Sequence, residues 1–217
     1  MNQGATPTPK FRRRSEARPT ELIEAALACF AEKGFAATRL ADVGRRAGVS
    51  PGTVCLYFPT KERLFMAVID HYLRPVIADQ ARIADEAGSP ASRLRRLMLA
   101  KAESLQRPNL AALARIIVCE IGSFPEVGRE FYGSVIEPTM VQIAQLIEEG
   151  IACGEFRQVP ARVHAHILVA PLPFALIWEA CYGHLDPQPS TPIEKMHAHI
   201  DSSLRALARD TAAEQPR

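Results

Sequence analysis

The stretch GVSPGTVCLYFPTKERLF, residues 48–65, decides the fold because it contains three signals that end or begin a helix. Gly48 tolerates positive φ and ends one helix, while Ser50 caps the next, with Pro51 in its first turn. Pro59 ends that helix after about eight residues, a length that is not stable alone. Neighbouring helices must therefore hold it, which predicts a helix-turn-helix.

Helical spacing of apolar residues also predicts the two helices before this turn. The first ends at about Lys33, where Gly34 suits a left-handed C-cap. The second is expected to be capped by Thr38 and to end at about Ala47. With the helix after the turn they form a three-helix domain, which we place at residues 18–64.

The helix at residues 51–58 occupies the recognition position of the motif and is poor in charge. Small residues at its start let the backbone approach the major groove, the Thr53 hydroxyl and methyl suit base edges, and Tyr57 reaches phosphate. An ordinary helical hairpin is the alternative, but it gives no reason for the flanking basic residues. These are Arg39, Arg45, Arg46 and Lys61.

Lys61 lies in the first turn of the next helix, where a cation opposes the helix dipole and costs roughly a few tenths of a kcal/mol. A DNA phosphate at that helix start would bind both the ammonium and the free backbone N–H groups. The alternative is a solvent-exposed lysine offset by Glu62.

Charge is distributed unevenly along the 217 residues. Residues 1–61 hold ten Lys and Arg against five Asp and Glu, net +5, whereas residues 62–217 hold sixteen against nineteen, net −3. Two explanations fit: a polyanion-binding front part or a solubilising basic tail. Residues 1–17, rich in Pro, Thr and Arg, are predicted to be a basic flexible arm.

The composition, 47% hydrophobic and 23% charged, is typical of a soluble globular protein. Five scattered cysteines without a CxxC pair favour neither disulfides nor zinc, and indicate a reducing cytoplasm. We find no secretory signal and no uninterrupted apolar run of eighteen residues, so no membrane association is predicted.

The motifs quoted above extend to a known family. Residues 19–67 resemble the DNA-binding domain of the TetR family of bacterial transcriptional regulators, through ELIEAALACFAEKGF and the patterns GF..T, AGVS.GT and YF..KE.L. The resemblance implies that several of these positions contact operator DNA and that Lys61 binds phosphate. Arg39 and Leu56 are added from their position beside these residues. The predicted DNA-binding residues are Thr38, Arg39, Ser50, Pro51, Gly52, Thr53, Leu56, Tyr57 and Lys61.

Three residues depart from the family pattern. Cys55 replaces a usual tyrosine, which puts one backbone contact in doubt, and Leu56 follows it. Leu56 indicates either a contact with a thymine methyl group or altered packing. Gly44 replaces a usual alanine and weakens its helix by about 1 kcal/mol unless something compensates.

The rest of the chain, residues 65–211, is also predicted to be helical, giving an all-α protein of about nine helices. Segments such as ARIIVCEIGSFPEVGREFY resemble the C-terminal domain of AefR-like regulators. The resemblance implies a homodimer through about 160–183 and 192–209, with an effector cavity among the central helices. VHAHILVAPLPFALIWEACY is apolar almost all round, more than a monomer would bury.

Residues for an unknown small-molecule effector are nominated from apolar and aromatic positions on these helices. Glu120 either selects a cationic or hydrogen-bonding effector, pairs with Arg115, or caps a helix. The nominated ligand-binding residues are Met98, Leu105, Glu120, Phe124, Phe131, Tyr132, Phe174 and Trp178.

Two histidine pairs, His164 with His166 and His197 with His199, resemble metal ligands at first. At i and i+2 on a helix the two side chains point roughly 200° apart and do not share one ion within a chain. No Ser-His-Asp order, HExxH, P-loop or GxGxxG occurs, so we predict no catalytic residue, metal or cofactor.

The sequence therefore predicts a cytoplasmic homodimeric repressor that binds a palindromic operator as double-stranded DNA and leaves it when a small molecule binds. An activator, or a regulator without an effector, fits the same residues. An all-α enzyme or ligand carrier with a structural N-terminal bundle is the alternative from another class.

Overall fold

The computed structural model describes the backbone of residues 9–209 and the side chains of residues 18–209. Within that part of the chain the structure is all-α, as predicted, and no strand longer than an isolated bridge occurs there. The chain divides into two compact units, one ending at Tyr72 and the other beginning at Leu73. The domain boundary predicted from the sequence lies earlier, after residue 64.

The first unit contains three helices and the start of a fourth, which continues into the second unit. Gly34 has φ 81° and ψ 160°, so it breaks the first helix where a C-cap is predicted. The helices are α1 Pro9–Ala37, α2 Leu40–Arg46, α3 Pro51–Tyr57 and α4 Lys61–Asp85.

The predicted arm, residues 1–17, lies only partly within the described part of the chain. Residues 1–8 lie outside the described part of the chain, as do residues 210 and 211 of the predicted C-terminal domain. Residues 9–17 form the first turns of α1, so this half of the predicted arm has a helical backbone.

The second unit holds seven more α-helices within the described residues. A π-helical turn at Tyr132–Ile136 precedes one of them, and 3₁₀ turns lie at Ile121–Ser123 and Gly183–Leu185. The helices are α5 Pro90–Ser104, α6 Pro108–Glu120, α7 Pro125–Phe131, α8 Glu137–Ala152, α9 Ala161–Val169, α10 Pro171–Tyr182 and α11 Pro192–Leu207.

Two interruptions explain why these segments outnumber the predicted helices. The π-helical turn divides the helix predicted for about 125–152 into α7 and α8. Pro171, which has no N–H to continue a helical ladder, begins α10 and separates it from α9. Joined across these breaks, the segments give the predicted number of about nine.

Three phenylalanines form the centre of the first unit. Phe35 and Phe65 have ring centroids 4.7 Å apart, and Phe30 contacts Phe65 edge to face at 5.5 Å. All three are buried, so the start of α4 belongs to this core. Aromatic packing of this kind adds to the free energy gained by burial alone and fixes α4 against α1.

Thr38 does not cap α2, and the prediction that it does is wrong. Its residue is 2% exposed, and its Oγ1 lies 2.7 Å from the carbonyl O of Gly34 and 3.2 Å from that of Cys29. The N-cap is Arg39, whose N–H donates to the Asp42 carboxylate at 3.1 Å. The Thr38 hydroxyl is used to close the break in α1, because the carbonyls there have lost their helical partners.

A half-buried lysine of the second unit carries a desolvated charge. Lys101 of α5 donates from Nζ to Oε1 of Gln80 on α4 at 2.7 Å, and Gln80 is only 6% exposed. Burial lowers the pKa of Lys101 from 10.5 to about 8. Its hydrogen-bond partner here is a neutral amide, so the burial of the charge is not offset by this contact.

Candidate nucleic-acid interface

The turn between α2 and α3 has the geometry that its sequence predicts. Gly48 has φ 69°, a value that glycine adopts without strain. Val49 N–H donates to the carbonyl of Gly44 at 2.8 Å, which closes the turn. Ser50 is the N-cap of α3 and accepts from Thr53 N–H through its side chain, with Pro51 in the first turn.

Gly44 has a packing reason that the sequence did not show. A Cβ at this position would lie 3.0 Å from the carbonyl O of Val49 and 3.2 Å from Cγ2 of Val54. The missing side chain therefore lets α2 and the turn approach each other closely. This close packing compensates for the low helix propensity of glycine.

The outward face of α3 is small at one end and apolar at the other. Val54 is fully buried, and Gly52 and Leu56, four residues apart, lie on the opposite side of the helix. Leu56 is 80% exposed, and Cys55 beside it is also exposed. A large apolar side chain this exposed, on a short helix held rigidly from behind, is suited to contact another molecule.

The other predicted residues of α3 border this face. Ser50 and Pro51 are exposed, while Thr53 and Tyr57 are half-buried. Ser50 Oγ and Thr53 Oγ1 lie 2.9 Å apart, so the two hydroxyls are hydrogen-bonded to each other at the start of the helix. The predicted residues of this helix thus lie together around one surface.

Lys61 has a role that neither sequence-based interpretation included. Its Nζ donates to the carbonyls of Phe35 at 2.8 Å and Ala36 at 2.9 Å, and lies 4.6 Å from the centroid of the Phe35 ring. The ammonium therefore satisfies carbonyls at the end of α1, the negative end of a helix dipole. These contacts offset the unfavourable position of the cation in the first turn of α4 without any phosphate.

Two of the basic residues that flank α3, Arg45 and Arg46, are paired with acids of the same unit, and Lys33 joins one of these pairs. Asp42 lies 3.2 Å from Lys33 Nζ and 3.0 Å from Arg45 Nη2, and Arg46 lies 2.7 Å from Glu32. The Arg39 backbone N–H, followed by Lys33, lowers the pKa of Asp42. Part of the positive charge thus holds α2 against α1.

In the second unit, α9, α10 and the 3₁₀ turn that follows carry a set of exposed apolar side chains. Trp178 packs between Phe174 at 6.3 Å and Tyr182 at 4.9 Å, measured between ring centroids, with the rings tilted. By length and composition residues 161–185 could cross a membrane, and 17% of their most apolar window is buried in the chain. We call this surface the α9–α10 face; its exposed members are Val163, Ile167, Phe174, Trp178, Tyr182 and Leu185.

The residues nominated for an effector lie in different environments. Phe174 and Trp178 belong to the α9–α10 face and line a pocket of about 240 Å³ with Met196 and His199. Met98 is fully buried in the core, and the Tyr132 hydroxyl donates to Glu137 at 3.0 Å. Of the others, Phe131 is buried, and Leu105, Glu120 and Phe124 are half-buried.

Sequence reasoning missed a second cavity, of about 680 Å³, between α5 and α11. The ion pair of Arg95 with Asp201, at 2.6 Å, lies on its wall beside Glu155. These residues are far apart in sequence and have no shared motif. No pattern in the sequence indicates that they meet.

The histidine pairs do not form a metal site among the described residues, where no group of three or more candidate ligands occurs. His164 Nδ1 lies 3.2 Å from the carbonyl O of Pro160, and His199 Nε2 lies 3.1 Å from that of Leu168. His166 and His197 are exposed.

Two short helices joined by a tight turn, the second with an exposed outer face, are the arrangement found in helix-turn-helix DNA-binding regulators. Comparison with family models supports this class. Residues 22–68 match the bacterial regulatory proteins of the tetR family, and residues 92–209 match the C-terminal domain of AefR-like transcriptional repressors. The chain belongs to the TetR family.

Individual relatives agree with this assignment. The chain is 25% identical over 145 residues to the repressor KstR2 of Mycolicibacterium smegmatis, covering 64% of this chain and 68% of that protein. It is 40% identical over 83 residues to the regulator RutR of Escherichia coli, covering 36% of this chain and 39% of RutR. The predicted class of function, a ligand-responsive DNA-binding transcriptional repressor, is confirmed.

A solved structure shows the same fold. The fatty acid degradation regulator FadR from Bacillus halodurans aligns with a TM-score of 0.73 at 19% identity. The alignment covers 94% of this chain and 100% of the FadR chain. At this identity the likeness concerns the fold alone.

Proposed function

We propose that this chain acts as a homodimer that binds a palindromic operator through α3 and leaves it when a small molecule binds the second unit. The exposed outward face of α3 carries the proposal, with Leu56 at its centre and Gly52 one turn before it. A helix with such a face enters the major groove, and a dimer places two of them about 34–36 Å apart. Such a protein acts on chromosomal DNA in the cytoplasm.

Some residues of the first unit are proposed to contact DNA, and others to hold α3 in position. Gly52 and Leu56 face the base edges, and the exposed start of α3 with Arg39 lies towards phosphates. Thr38 and Lys61 are assigned to positioning, because their polar atoms bind carbonyls at the end of α1.

The α9–α10 face is proposed to bind the same face of a second copy. A partner chain can cover the aromatic side chains of this face without breaking their contacts with one another. Burying such a surface gives a stable self-complementary interface. Charged and polar residues on the same stretch, including His166 and Glu179, are better suited to a protein interface than to a lipid core. We include part of α11, which packs against α10, in the interface.

The effector remains assigned to the second unit. Six of the nominated residues stay candidates for its site, because none of them lies on the α9–α10 face: Met98, Leu105, Glu120, Phe124, Phe131 and Tyr132. Phe174 and Trp178 are reassigned to the dimer interface, since their exposure suits a partner chain better than an enclosed ligand.

Selection of duplexes by the full-length protein from a random library tests DNA binding directly. We expect an enriched palindrome whose affinity falls steeply with salt. Leu56→Asp should abolish this binding, because it places a negative charge against DNA from an exposed position. Val118→Asp, the same change at an exposed residue of the second unit, should bind like the wild type.

Failure to enrich any sequence, or equal binding by the two variants, would contradict the assignment of α3. Enrichment of a sequence without internal symmetry would contradict the dimeric arrangement. Release of the selected duplex by small molecules from a metabolite panel then tests the effector.

A further inference from the structure

The outward surface of α3 offers little with which to form hydrogen bonds to bases. Within PGTVCLY only Thr53 and Tyr57 carry a hydroxyl, and the helix has no amide, carboxylate or guanidinium side chain. The paired hydrogen bonds that identify guanine and adenine in the major groove need such planar groups. Sequence choice by α3 must therefore rest on other contacts.

The hydroxyls near the start of the helix are already engaged. Ser50 Oγ accepts from the Thr53 N–H at 3.1 Å and lies 2.9 Å from Thr53 Oγ1. Turning either hydroxyl fully towards a base would cost part of the cap that starts α3. Tyr57 is half-buried at the other end of the helix.

Leu56 is the side chain that the fold pushes outward. It is 80% exposed, lies opposite the fully buried Val54, and follows Gly52 by one turn. Gly52 lets the helix backbone approach DNA closely, since it has no side chain to hold the groove away. Removing water from the methyl groups of a leucine brought this close is favourable when they meet another apolar group.

The major groove offers one such group on standard bases, the 5-methyl group of thymine. We propose that Leu56 recognises a thymine in each half-site through its 5-methyl group. The inference rests on the proposed operator binding by α3 and names the base feature that this site reads.

Deoxyuridine tests the inference, because it pairs like thymine and lacks only the methyl group. In the duplex selected by the full-length protein, each thymine is replaced in turn by deoxyuridine, in one half-site or both. We expect one position where dissociation constants rise about fourfold for one half-site and about fifteenfold for both, as for one buried methyl group each.

Two variants connect this effect to Leu56. Leu56→Ala should bind the thymine duplex more weakly and show no further loss on deoxyuridine, whereas Leu56→Met should keep the sensitivity. Thermal unfolding should be unchanged in both, since the side chain is exposed.

Full deoxyuridine sensitivity in Leu56→Ala, or no sensitive thymine in a duplex that binds specifically, would overturn the thymine assignment while leaving operator binding intact. Absence of any specifically bound duplex would instead overturn the proposed function, and the inference with it.

Discussion

The two units of this protein place charge and apolar surface in opposite ways. The first unit buries three phenylalanines, Phe30, Phe35 and Phe65, and carries cations on its surface, with Leu56 as an exposed apolar side chain on α3. The second unit exposes an apolar surface, the α9–α10 face, and contains a half-buried lysine, Lys101, whose ammonium group is desolvated. In the isolated chain, Leu56, the α9–α10 face and Lys101 each lie in an environment that is unfavourable for their side chains.

The contrast between the two apolar surfaces indicates different partners. A solitary leucine among small residues suits a point contact in a groove lined by polar base edges. A row of aromatic side chains in contact along α10, beside the exposed apolar residues of α9, suits another protein surface of the same kind.

The largest effect should follow from charging the α9–α10 face. Trp178→Glu combined with Phe174→Glu should convert a dimer of about twice 23.8 kDa into a monomer, because both side chains are exposed on the proposed interface. Operator affinity should fall about a hundredfold or more, since the two half-sites are then bound separately. Sedimentation and DNA titration measure the two effects.

Val118→Glu provides the control for this change, as an equally exposed apolar residue outside that face. A double variant that remains dimeric would show that the apolar surface has another partner, a membrane among them.

The desolvated Lys101 gives the next largest effect. Lys101→Met should raise the free energy of unfolding at pH 7 by about 2 kcal/mol, because it removes a charge whose burial shifts the pKa from 10.5 to about 8. Below pH 8 the ammonium is charged in both states and the cost is complete. Between about pH 8 and 10.5 the folded state loses its proton first, so wild-type stability rises relative to the variant.

Urea unfolding across this pH range measures the difference. Removing the lysine also leaves the buried Gln80 without its donor, so Lys101→Met with Gln80→Leu should be more stable still. A difference between wild type and variant that does not change with pH would mean that the ammonium is not desolvated.

In α3, Gly52→Ala should change stability and DNA affinity in opposite directions. An added Cβ meets only Ser50 Oγ, at 3.7 Å, so the folded chain has room for it and gains roughly 0.5 kcal/mol. DNA affinity should nevertheless fall about tenfold, because the methyl group stands between the helix backbone and the base edges.

Gly133→Ala, where a Cβ likewise has open space but the residue lies in the second unit, should leave DNA affinity unchanged. Equal affinity of Gly52→Ala and wild type would mean that α3 does not approach the bases closely.

The smallest effect concerns Lys61. Lys61→Met should lower the free energy of unfolding by about 1 kcal/mol, through loss of the bonds to Phe35 and Ala36. The slope of DNA affinity against salt should stay the same, since these carbonyls hold the ammonium. If the slope for Lys61→Met is shallower by about one and its stability is unchanged, Lys61 contacts a phosphate instead.

The parts of the fold that follow local rules could be predicted from the sequence. Gly34 and Gly48 adopt positive φ, and Ser50 caps α3, because each signal acts on its own few residues. Thr60 likewise accepts from the Arg63 N–H and caps α4.

Contacts over longer distances could not be predicted. Lys61 reaches carbonyls 26 and 25 residues earlier, and Lys101 meets Gln80 across 21 residues. An apolar pattern indicates which face of a helix is buried, but not which polar group of another helix meets it. For the same reason the eight nominated effector residues, chosen by type and spacing, fall into different environments.

The π-helical turn at Tyr132–Ile136 sets the rotational phase between α7 and α8. Such a turn holds one residue more than an α-helical turn, and one residue corresponds to about 100° of rotation. Without it, the buried side chains of Val127 and Phe131 would face about 100° away from their present direction. The extra residue, just before Pro138, thus lets two helices in one segment bury their apolar sides in the same unit.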